Sequence, residues 1–466
     1  MSTDFGTLNV RYPTDFQLEK LNLVTPLSGG VIDLMPLMLE ISLFEDIYSS
    51  TISGEIIVTD ALGLVSNFRL NGTEFVQIIL KKTASDPYPI SRNYRVVKIK
   101  NRFTSDSNAY ETYAISFCSE EFVVSEQYRI SQSYPGTPIS NIVIDILTNW
   151  LGVVKPINVE ATDGVYDFVL PNKKIFETIN WLATYAQPAS KKPGADMIFF
   201  ENSAGYWFNS LQTLYNQPAA TTFKFDPKNI NFGLGAGDYR PDLNQQMGNA
   251  LNFEVLNYFD TLSAVSNGTF SNRLLSIDPL QRTFKITDFN YNNYLDKAQT
   301  MNKYPLTNNY QDRMGAAMYD PPSNGLEAGA LRMATSNSEQ KKNTFIAQNP
   351  DVVANDIFIE KYLPNRVAQL ALANYMRIKI TVAGDPQLMA GKTVNFATYA
   401  PGGEGLERNL DPFYSGKYLV SAVRHIVKNN SYITVMELCK ESVGESFAGF
   451  DNNDSFLSSL VNGEQT

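Results

Sequence analysis

Tyr418-Leu-Val-Ser-Ala-Val-Arg-His-Ile-Val-Lys-Asn-Asn-Ser-Tyr-Ile-Thr-Val-Met-Glu-Leu-Cys-Lys-Glu441 is the stretch of sequence that decides the fold. Apolar and polar residues alternate on both sides of Lys428-Asn429-Asn430-Ser431. Alternation with a period of two is typical of a half-buried strand. Asparagine tolerates the left-handed backbone that a tight turn requires. The stretch therefore predicts a β-hairpin.

A second segment with the same features occurs earlier in the chain. The matched positions are Tyr94 with Tyr418, Val96 with Val420, Ile99 with Val423, Lys100 with Arg424, Gly72 with Gly391, and Cys118 with Cys439. Both cysteines of the chain thus fall at the same place in the two segments. Self-similarity on this scale predicts a duplicated β-domain. The alternative is a chance likeness between two hairpins, since Tyr, Val and Thr are common in any strand.

The order of these patterns predicts a β-rich α+β, multidomain chain with two similar small antiparallel β-barrels, a helix-and-sheet domain and an inserted subdomain. The expected divisions are the first barrel at 1–121, the helix-plus-sheet domain at 122–225, the second barrel in two parts at 226–277 and 360–443, an inserted partner-contact subdomain at 278–359, and a mobile C-terminal tail at 444–466. The insert and the tail are rich in Asn, Ser, Gly and Pro, which favours loops.

Within the helix-and-sheet domain, Thr137 and Pro138 are expected to begin a helix that Gly152 ends. A second helix is expected after Asn172, and a hairpin joins 197–200 to 206–208. The second barrel is expected to open with strands at 251–255 and 261–270, and a helix at 365–375 returns the chain to it.

Composition narrows the class of function. The 466 residues are 43% hydrophobic, 12% aromatic and 18% charged, which supports packed, β-rich cores. The formal charge of −10 disfavours a nucleic-acid binder, which needs a basic surface. Neither a secretory signal nor a membrane span is expected, so a soluble cytoplasmic product is predicted. The two cysteines, on strands of different domains, are expected to be buried thiols.

The residue types that carry chemistry are sparse. His425 is the only histidine, so a catalytic triad or a multi-histidine metal site has nothing else to draw on. The acid pairs are Glu45/Asp46, Glu120/Glu121 and Glu437/Glu441. Sequence neighbours on a strand point to opposite faces, so adjacent acids do not form a glycosidase pair.

The remaining candidates also have ordinary explanations. Gly233, Gly235 and Gly237 lack the lysine and the spacing of a phosphate-binding loop, and a flexible connection between domains explains them. Trp150, Trp181 and Trp207 lie in periodic segments, so core packing is expected for them. The sequence therefore predicts no catalytic, cofactor-binding or metal-ligating residue, no cofactor, and no enzyme activity.

Two stretches resemble a known family. The first is Asp46-Ile-Tyr-Ser-Ser-Thr-Ile-Ser-Gly-Glu-Ile-Ile-Val-Thr-Asp60, followed by the Gly72 strand. It resembles the N-terminal barrel of baseplate hub proteins of contractile-tailed bacteriophages. The second, 384–391 followed by 415–425, is similar to the closing barrel of those proteins and of type VI secretion spike proteins. The resemblance covers about 1–125 and 365–442.

The resemblance implies a non-enzymatic structural protein of the virion, placed in the tail baseplate and assembled in the host cytoplasm. It implies a homotrimer whose six tube-like barrels adapt the hexameric tail tube to the trimeric central spike and leave a lumen for DNA. The implied partners are other copies of the chain, the tail tube or tube-initiator protein, the central spike protein, baseplate wedge proteins and the tape measure protein. No needle or lysozyme-like segment follows the second barrel, which implies that the spike is a separate protein.

Two other functions remain open at this point. One is a peptidoglycan hydrolase of the tail, since cell-wall-degrading activities travel in baseplates. The other is a carbohydrate-binding tail protein that uses the aromatic residues on exposed strands. The first would require a catalytic acid such as Glu120, and the second would require aromatic rings outside the helix core faces.

Overall fold

The structure is a computed structural model. It describes residues 14–26, 29–67, 70–82, 89–105, 110–190, 196–226, 247–267, 269, 271–278, 283–290, 300–302, 304–305, 330–335, 363–399, 410–411 and 413–443. The glycines at 233, 235 and 237, most of the predicted insert and the whole predicted tail lie outside the described residues.

Strands dominate the described residues. They are β1 Gln17–Thr25, β2 Gly30–Asp33, β3 Met38–Asp46, β4 Ser53–Asp60, β5 Phe75–Lys81, β6 Ile90–Thr104, β7 Glu111–Ser119, β8 Arg129–Ile130, β9 Ser133–Thr137, β10 Ile157–Val159, β11 Tyr166–Val169, β12 Lys173–Lys174, β13 Met197–Asn202, β14 Gly205–Ser210, β15 Thr222–Phe225, β16 Ala250–Asn257, β17 Ser271–Asp278, β18 Thr283–Asn290, β19 Tyr304–Pro305, β20 Ala330–Thr335, β21 Met376–Ala383, β22 Thr393–Thr398, β23 Gly416–Lys428, β24 Ser431–Lys440 and β25 Ser442–Val443.

The α-helices are α1 Leu64–Asn67, α2 Glu120–Gln127, α3 Ile139–Asp145, α4 Ile175–Ala183, α5 Leu211–Tyr215, α6 Thr261–Ser266 and α7 Leu363–Ala373. A 3₁₀ turn covers Met35–Leu37, and one turn of π-helix, Ile146–Trp150, continues α3. The expected β-rich composition is confirmed.

One sheet of 13 strands unites the two ends of the chain. Its strand order is β16-β21-β24-β23-β3-β4-β7-β6-β5-β1-β2, and β22 and β15 branch from β23. We call β1, β3, β4, β5, β6 and β7 the first strand set, and β15, β16, β21, β22, β23 and β24 the second strand set. Each set packs mainly around a hydrophobic core of its own.

The predicted hairpin is β23 and β24, joined between Lys428 and Ser431. Asn429 and Asn430 adopt φ of 50° and 58°, the left-handed region that a two-residue hairpin turn requires. Burial alternates along β24 from Ser431 to Leu438, although the buried positions include the polar Thr434, and Ile433 and Val435 are half-buried. The apolar face of this hairpin thereby enters the core of the second strand set.

Residues 120–215 form the helix-and-sheet part of the structure. α3 and α4 bury their apolar faces against β13 and β14, in one continuous core. The helix after Asn172 and the hairpin of β13 with β14 are as predicted. Thr137 is not a helix cap: it ends β9 opposite Tyr166, and α3 begins at Ile139. Pro138 occupies the N-cap position, and the Thr137 hydroxyl donates instead to the Pro135 carbonyl at 2.9 Å.

Two further expectations differ from the structure. The strand expected at 261–270 is wrong over its first part, which is the helix α6, because the Asp260 carboxylate accepts a hydrogen bond from the Ser263 N–H at 2.9 Å and caps it. β17, assigned from sequence to the second barrel up to residue 277, pairs with β18 and β20 in a separate three-stranded sheet. The division into domains is otherwise a prediction that returns below as a proposal.

Candidate assembly interface

The two strand sets have the same strand order. Hydrogen bonding follows β3-β4-β7-β6-β5-β1 in the first set and β16-β21-β24-β23-β22-β15 in the second. The corresponding strands also follow one another in the same order along the chain. The sets differ in that β1 pairs antiparallel with β5 whereas β15 pairs parallel with β22. In addition, β17 to β20 come between β16 and β21 along the chain, where the first set has no inserted strands.

The strand register agrees residue by residue at the two cysteines. Cys118 on β7 lies opposite Arg95 on β6, and Cys439 on β24 lies opposite Leu419 on β23. A register shift follows in both hairpins, after Val96 and after Val420. These are the positions that the sequence comparison matched. Both cysteines are buried free thiols, as predicted.

The same agreement extends to the first strands of the sets. Met38 and Glu40 on β3 flank a register shift against β4, and Ala250 and Asn252 on β16 flank one against β21. A β-bulge inserts one residue and reorients the strand locally, so its recurrence fixes how the strands correspond. By this register Ile41 corresponds to Phe253, and β3 corresponds to β16 over its length.

The two sets join where β23 pairs antiparallel with β3, a pairing that we call the internal seam. It runs from Ala422 opposite Asp46 to Lys428 opposite Glu40. The Ile47 N–H extends it by donating to the Ser421 carbonyl at 2.9 Å. The seam is a continuous antiparallel ladder, so its backbone groups are satisfied between the sets.

Ion pairs fasten one end of the internal seam. Arg424 Nη2 and Lys428 Nζ lie 3.0 and 3.1 Å from the Glu40 carboxylate, and Arg424 also donates to Ser42 Oγ at 3.0 Å. Partial burial raises the pKa of Glu40, but its hydrogen bonds with Lys428 and Ser42 outweigh this and hold that pKa below its usual value. The carboxylate is therefore held as an anion between two cations from β23.

The edges of β6 and β16 that correspond to the two sides of the internal seam pair with no described strand. β5 pairs with β6 from Ile90 to Arg95, and the rest of that edge, residues 98–104, pairs with no described strand. β16 pairs along one edge with β21; on the other side β15 makes one bridge, Lys224 with Asn249, just before the strand, and 250–257 pair there with no described strand. We call 98–104 and 250–257 the open edges.

Apolar side chains are exposed at both open edges. Phe103 is 70% exposed and Val97 is 53% exposed, whereas Ser421, the counterpart of Val97 at the seam, is 2% exposed. Val255 and Leu256 on β16 are exposed as well. A long edge strand with exposed apolar side chains is a ready site for pairing with another strand. Sequence reasoning missed these residues, although the adjacent pair Val96-Val97 signals a strand with an apolar residue on each face.

Glu45 connects three parts of the chain. It lies on β3, and its carboxylate accepts hydrogen bonds from the Ser203 N–H at 2.9 Å and the Ala390 N–H at 3.0 Å. Ser203 belongs to the turn between β13 and β14, and Ala390 precedes β22. Burial, with a smaller contribution from Glu201, raises the pKa of Glu45 to about 7, although these hydrogen bonds oppose the rise.

A second buried acid holds the helix-and-sheet part against the first strand set. Glu201 is 1% exposed, and its carboxylate accepts from the Ile52 N–H at 3.0 Å. Lys155 Nζ lies 2.7 Å from both Glu201 and Glu121. Lys155 thus supplies the positive charge that the buried Glu201 needs.

The only histidine has a structural environment. His425 is buried in β23, opposite Leu43 of the internal seam, and its Nδ1 lies 2.7 Å from the Tyr432 hydroxyl. Burial lowers the pKa of His425 to about 4, which favours the neutral ring. This agrees with the interpretation of His425 as a residue fixed within a strand.

Members of two of the acid pairs noted in the sequence have structural partners. Asp46 accepts from the Tyr48 N–H, Glu437 pairs with Arg377 at 2.7 Å, and Glu441 is buried and accepts from the Met301 N–H. Within the described ranges, no group of three His, Cys, Asp or Glu side chains could hold a metal ion.

The tryptophans divide between core and surface. Trp181 and Trp207 pack partly buried against cores, as expected. Trp150 is 40% exposed and donates to Gln132 Oε1 at 3.2 Å, so core packing is wrong for it. The π-helical turn displaces Trp150 from the buried face of α3.

Among the helices that the structure describes, none is long and apolar enough to cross a membrane.

Comparisons with known proteins agree with this fold. No family model matches the chain. It is 23% identical over 418 residues to a probable baseplate hub protein of Vibrio phage KVP40, covering 85% of this chain and 89% of that one. Its fold is similar to that of a tail protein from Neisseria meningitidis MC58, with a TM-score of 0.50 at 8% identity over 92% and 97% of the two chains. The 43 kDa tail protein of prophage MuSo2 from Shewanella oneidensis gives a TM-score of 0.49 at 8% identity, with 91% and 100% covered. The resemblance to baseplate hub proteins, first seen in two stretches of the sequence, is therefore confirmed over most of the chain.

Proposed function

We propose that this chain is a structural baseplate hub of a contractile phage tail. The observation that carries the proposal is the repetition of one strand order and register within a single chain that resembles a probable baseplate hub protein. Glu40, Glu45, Glu201 and His425 have structural contacts within the fold, which favours a structural role over the cell-wall hydrolase.

Each strand set forms one small tube-like barrel in this proposal. For the second set, the Lys224 N–H donates to the Gly248 carbonyl at 2.8 Å, which brings β15 beside the start of β16 and supports closure. The first barrel then occupies 1–121, the helix-plus-sheet domain 122–221, and the second barrel 222–270 with 360–443, because β15 pairs with β22 and β17 lies in a separate sheet. The insert, which begins with β17 and covers 271–359, is the candidate contact with outer partners, and 444–466 is the tail.

Three copies of the chain form a ring with a lumen for DNA. Six similar barrels present a pseudo-sixfold face to a hexameric tail tube, and the three chains present a threefold face to a trimeric central spike. Matched symmetry satisfies every repeat of both interfaces. The net charge of −10 suits a lumen through which DNA passes without binding.

The partners in this proposal are the tail tube or tube-initiator protein, the central spike protein, the wedge proteins and the tape measure protein. The site of action is the virion baseplate, after assembly in the host cytoplasm. None of these contacts requires a cofactor or a catalytic residue.

Light scattering of the purified full chain, followed by electron microscopy of the particles, tests the ring. We expect a trimer whose end-on view has six similar lobes. A monomer, or a trimer with three lobes only, would contradict the duplicated-barrel ring. Clearing of peptidoglycan by the chain, abolished by Glu120→Gln, would favour the hydrolase instead.

A further inference from the structure

We propose that the open edge of β6 in one copy of the chain pairs antiparallel with the open edge of β16 in the next copy, in the register of the internal seam. This inference rests on the proposed function, because it specifies the contact that builds the ring. The partner is a second copy of this chain, and the ladder between copies repeats the ladder within each copy.

The argument starts from the correspondence of strands. β23 corresponds to β6, and β3 corresponds to β16, by strand order and by bulge position. β23 and β3 pair with each other, whereas β6 and β16 of one chain do not. The two strands that would complete the equivalent ladder are therefore both present, each with one open edge.

The register follows from the same correspondence. Arg424 opposite Phe44 corresponds to Lys100 opposite Asn257 of the next copy. Ile426 opposite Ser42 corresponds in the same way to Phe103 opposite Glu254. The predicted ladder is thus anchored at two points, on either side of residues 101 and 102.

The two predicted pairs, Lys100 with Asn257 and Phe103 with Glu254, are consistent with one unbroken register. The correspondence of strands alone does not require this. β6 has one residue more than β23 between Lys100 and Phe103, where its pairing with β7 shifts. β16 likewise has one residue more than β3 between Val255 and Asn257. In the predicted ladder these extra residues lie opposite one another. The register therefore continues without a break from Lys100 opposite Asn257 to Thr104 opposite Phe253.

The exposed apolar side chains of the two edges can cover one another. Lys100 and Arg102 on β6 pair within the chain with Glu55 and Glu111, and Glu254 on β16 pairs with Lys379, so the apolar side chains and the backbone ladder carry the contact. Pairing would cover Phe103, Val255 and Leu256, which are exposed in a single chain. Backbone hydrogen bonds give such a strand addition its affinity, and the side chains give it specificity.

The geometry also favours a ring over a twofold dimer. Each copy offers one β6 edge and one β16 edge, so the contact is heterologous and joins copies head to tail. A heterologous contact either closes into a ring or continues as a filament. Closure at three copies is the proposed outcome, because three copies with two barrels each give the six barrels of the proposed ring.

Cysteine pairs test the register in the full chain. We expect Phe103→Cys with Glu254→Cys, and separately Lys100→Cys with Asn257→Cys, to yield disulfide-linked species of up to three chains on mild oxidation. Paired cysteines on neighbouring strands have Cα atoms within reach of a disulfide. The matched control, Phe103→Cys with Asn257→Cys, is displaced by three residues, about 10 Å along the strand, and should remain unlinked.

The possible results separate the register, the ring and the closure of the ring at three copies. Single-cysteine variants and native melting curves check that linkage needs both positions and that the fold is intact. A trimer in light scattering without linkage, or with linkage in the displaced pair, would overturn this register and leave the proposed ring standing. A chain that is monomeric throughout would overturn the ring and the register together. A ladder of bands beyond three chains would overturn closure.

Discussion

The carboxylate of Glu45 accepts a hydrogen bond from the backbone N–H of Ala390 at 3.0 Å, across 345 positions of sequence. The same side chain binds the backbone of Ser203, so three parts of the chain meet at one buried acid. Glu45 also lies within the internal seam, opposite Val423. Its protonation is therefore coupled to how the two strand sets and the helix-and-sheet part hold together.

The first prediction concerns Glu45 and pH. Burial raises the pKa of Glu45 from 4.5 to about 7, so the folded chain binds this proton more tightly than the unfolded chain. The stabilisation is fully present below pH 4.5 and is lost as pH rises towards 7, by roughly 3 kcal/mol. Glu45→Gln should lack this loss. The difference in urea midpoint between wild type and variant should therefore change between pH 4.5 and 7 and stay constant outside that window.

A Glu45→Gln curve parallel to wild type would show that the Glu45 carboxylate does not contribute to the pH dependence of folding.

The second prediction concerns Lys155. Lys155→Met leaves the buried Glu201 without its counter-charge, which costs about 3–5 kcal/mol when a buried pair is broken. The double variant Lys155→Met with Glu201→Gln removes the buried pair and should recover part of that loss, since Glu121 still lacks its partner. Chemical unfolding, followed by tryptophan fluorescence, measures both. Equal losses in the single and double variants would show that the pair is not the source of the effect.

Local patterns were predictable from sequence because their causes are local. The turn at Asn429 and Asn430 follows from two residues that tolerate positive φ between alternating strands. The correspondence of Cys118 with Cys439 was visible because both hairpins keep the same side-chain order. α6 was not predicted, since the capping of its first turn by Asp260 outweighs the strand preference of Thr261 and its neighbours.

Long-range contacts were not predictable in the same way. Nothing near Glu45 in sequence identifies Ala390 as its partner, because a contact over that separation depends on how whole sheets dock. The internal seam is similar: β3 and β23 each read as ordinary strands, and only the fold shows that they pair. The open edges could be recognised only after the seam was known, because their counterparts, β23 and β3, are the strands that pair there.

The third prediction concerns Gly54 on β4. A Cβ at this position would lie 2.3 Å from the Phe117 ring and 2.7 Å from the Ser42 carbonyl. Gly54→Ala should therefore destabilise the first strand set by about 1–3 kcal/mol through overpacking. The neighbouring Ser53 is exposed, so Ser53→Ala should change stability by less than about 0.5 kcal/mol. Thermal melting of both variants checks this, and similar melting temperatures for the two would contradict the close packing of β4 against β7.

The fourth prediction uses the single histidine of the chain as a probe. Burial lowers the pKa of His425 from 6.5 to about 4, so the imidazole signal of histidine-labelled protein should not titrate between pH 5.5 and 8. In urea the same signal should titrate near 6.5. The stabilisation from the neutral ring is present above pH 6.5 and is lost as pH falls towards 4, opposite in sign to the effect of Glu45. Because the two effects oppose each other between pH 4.5 and 6.5, the stability of Glu45→Gln should rise more steeply with pH there than that of wild type. A native imidazole that titrates near 6.5 would mean that β23 does not bury His425 within the seam.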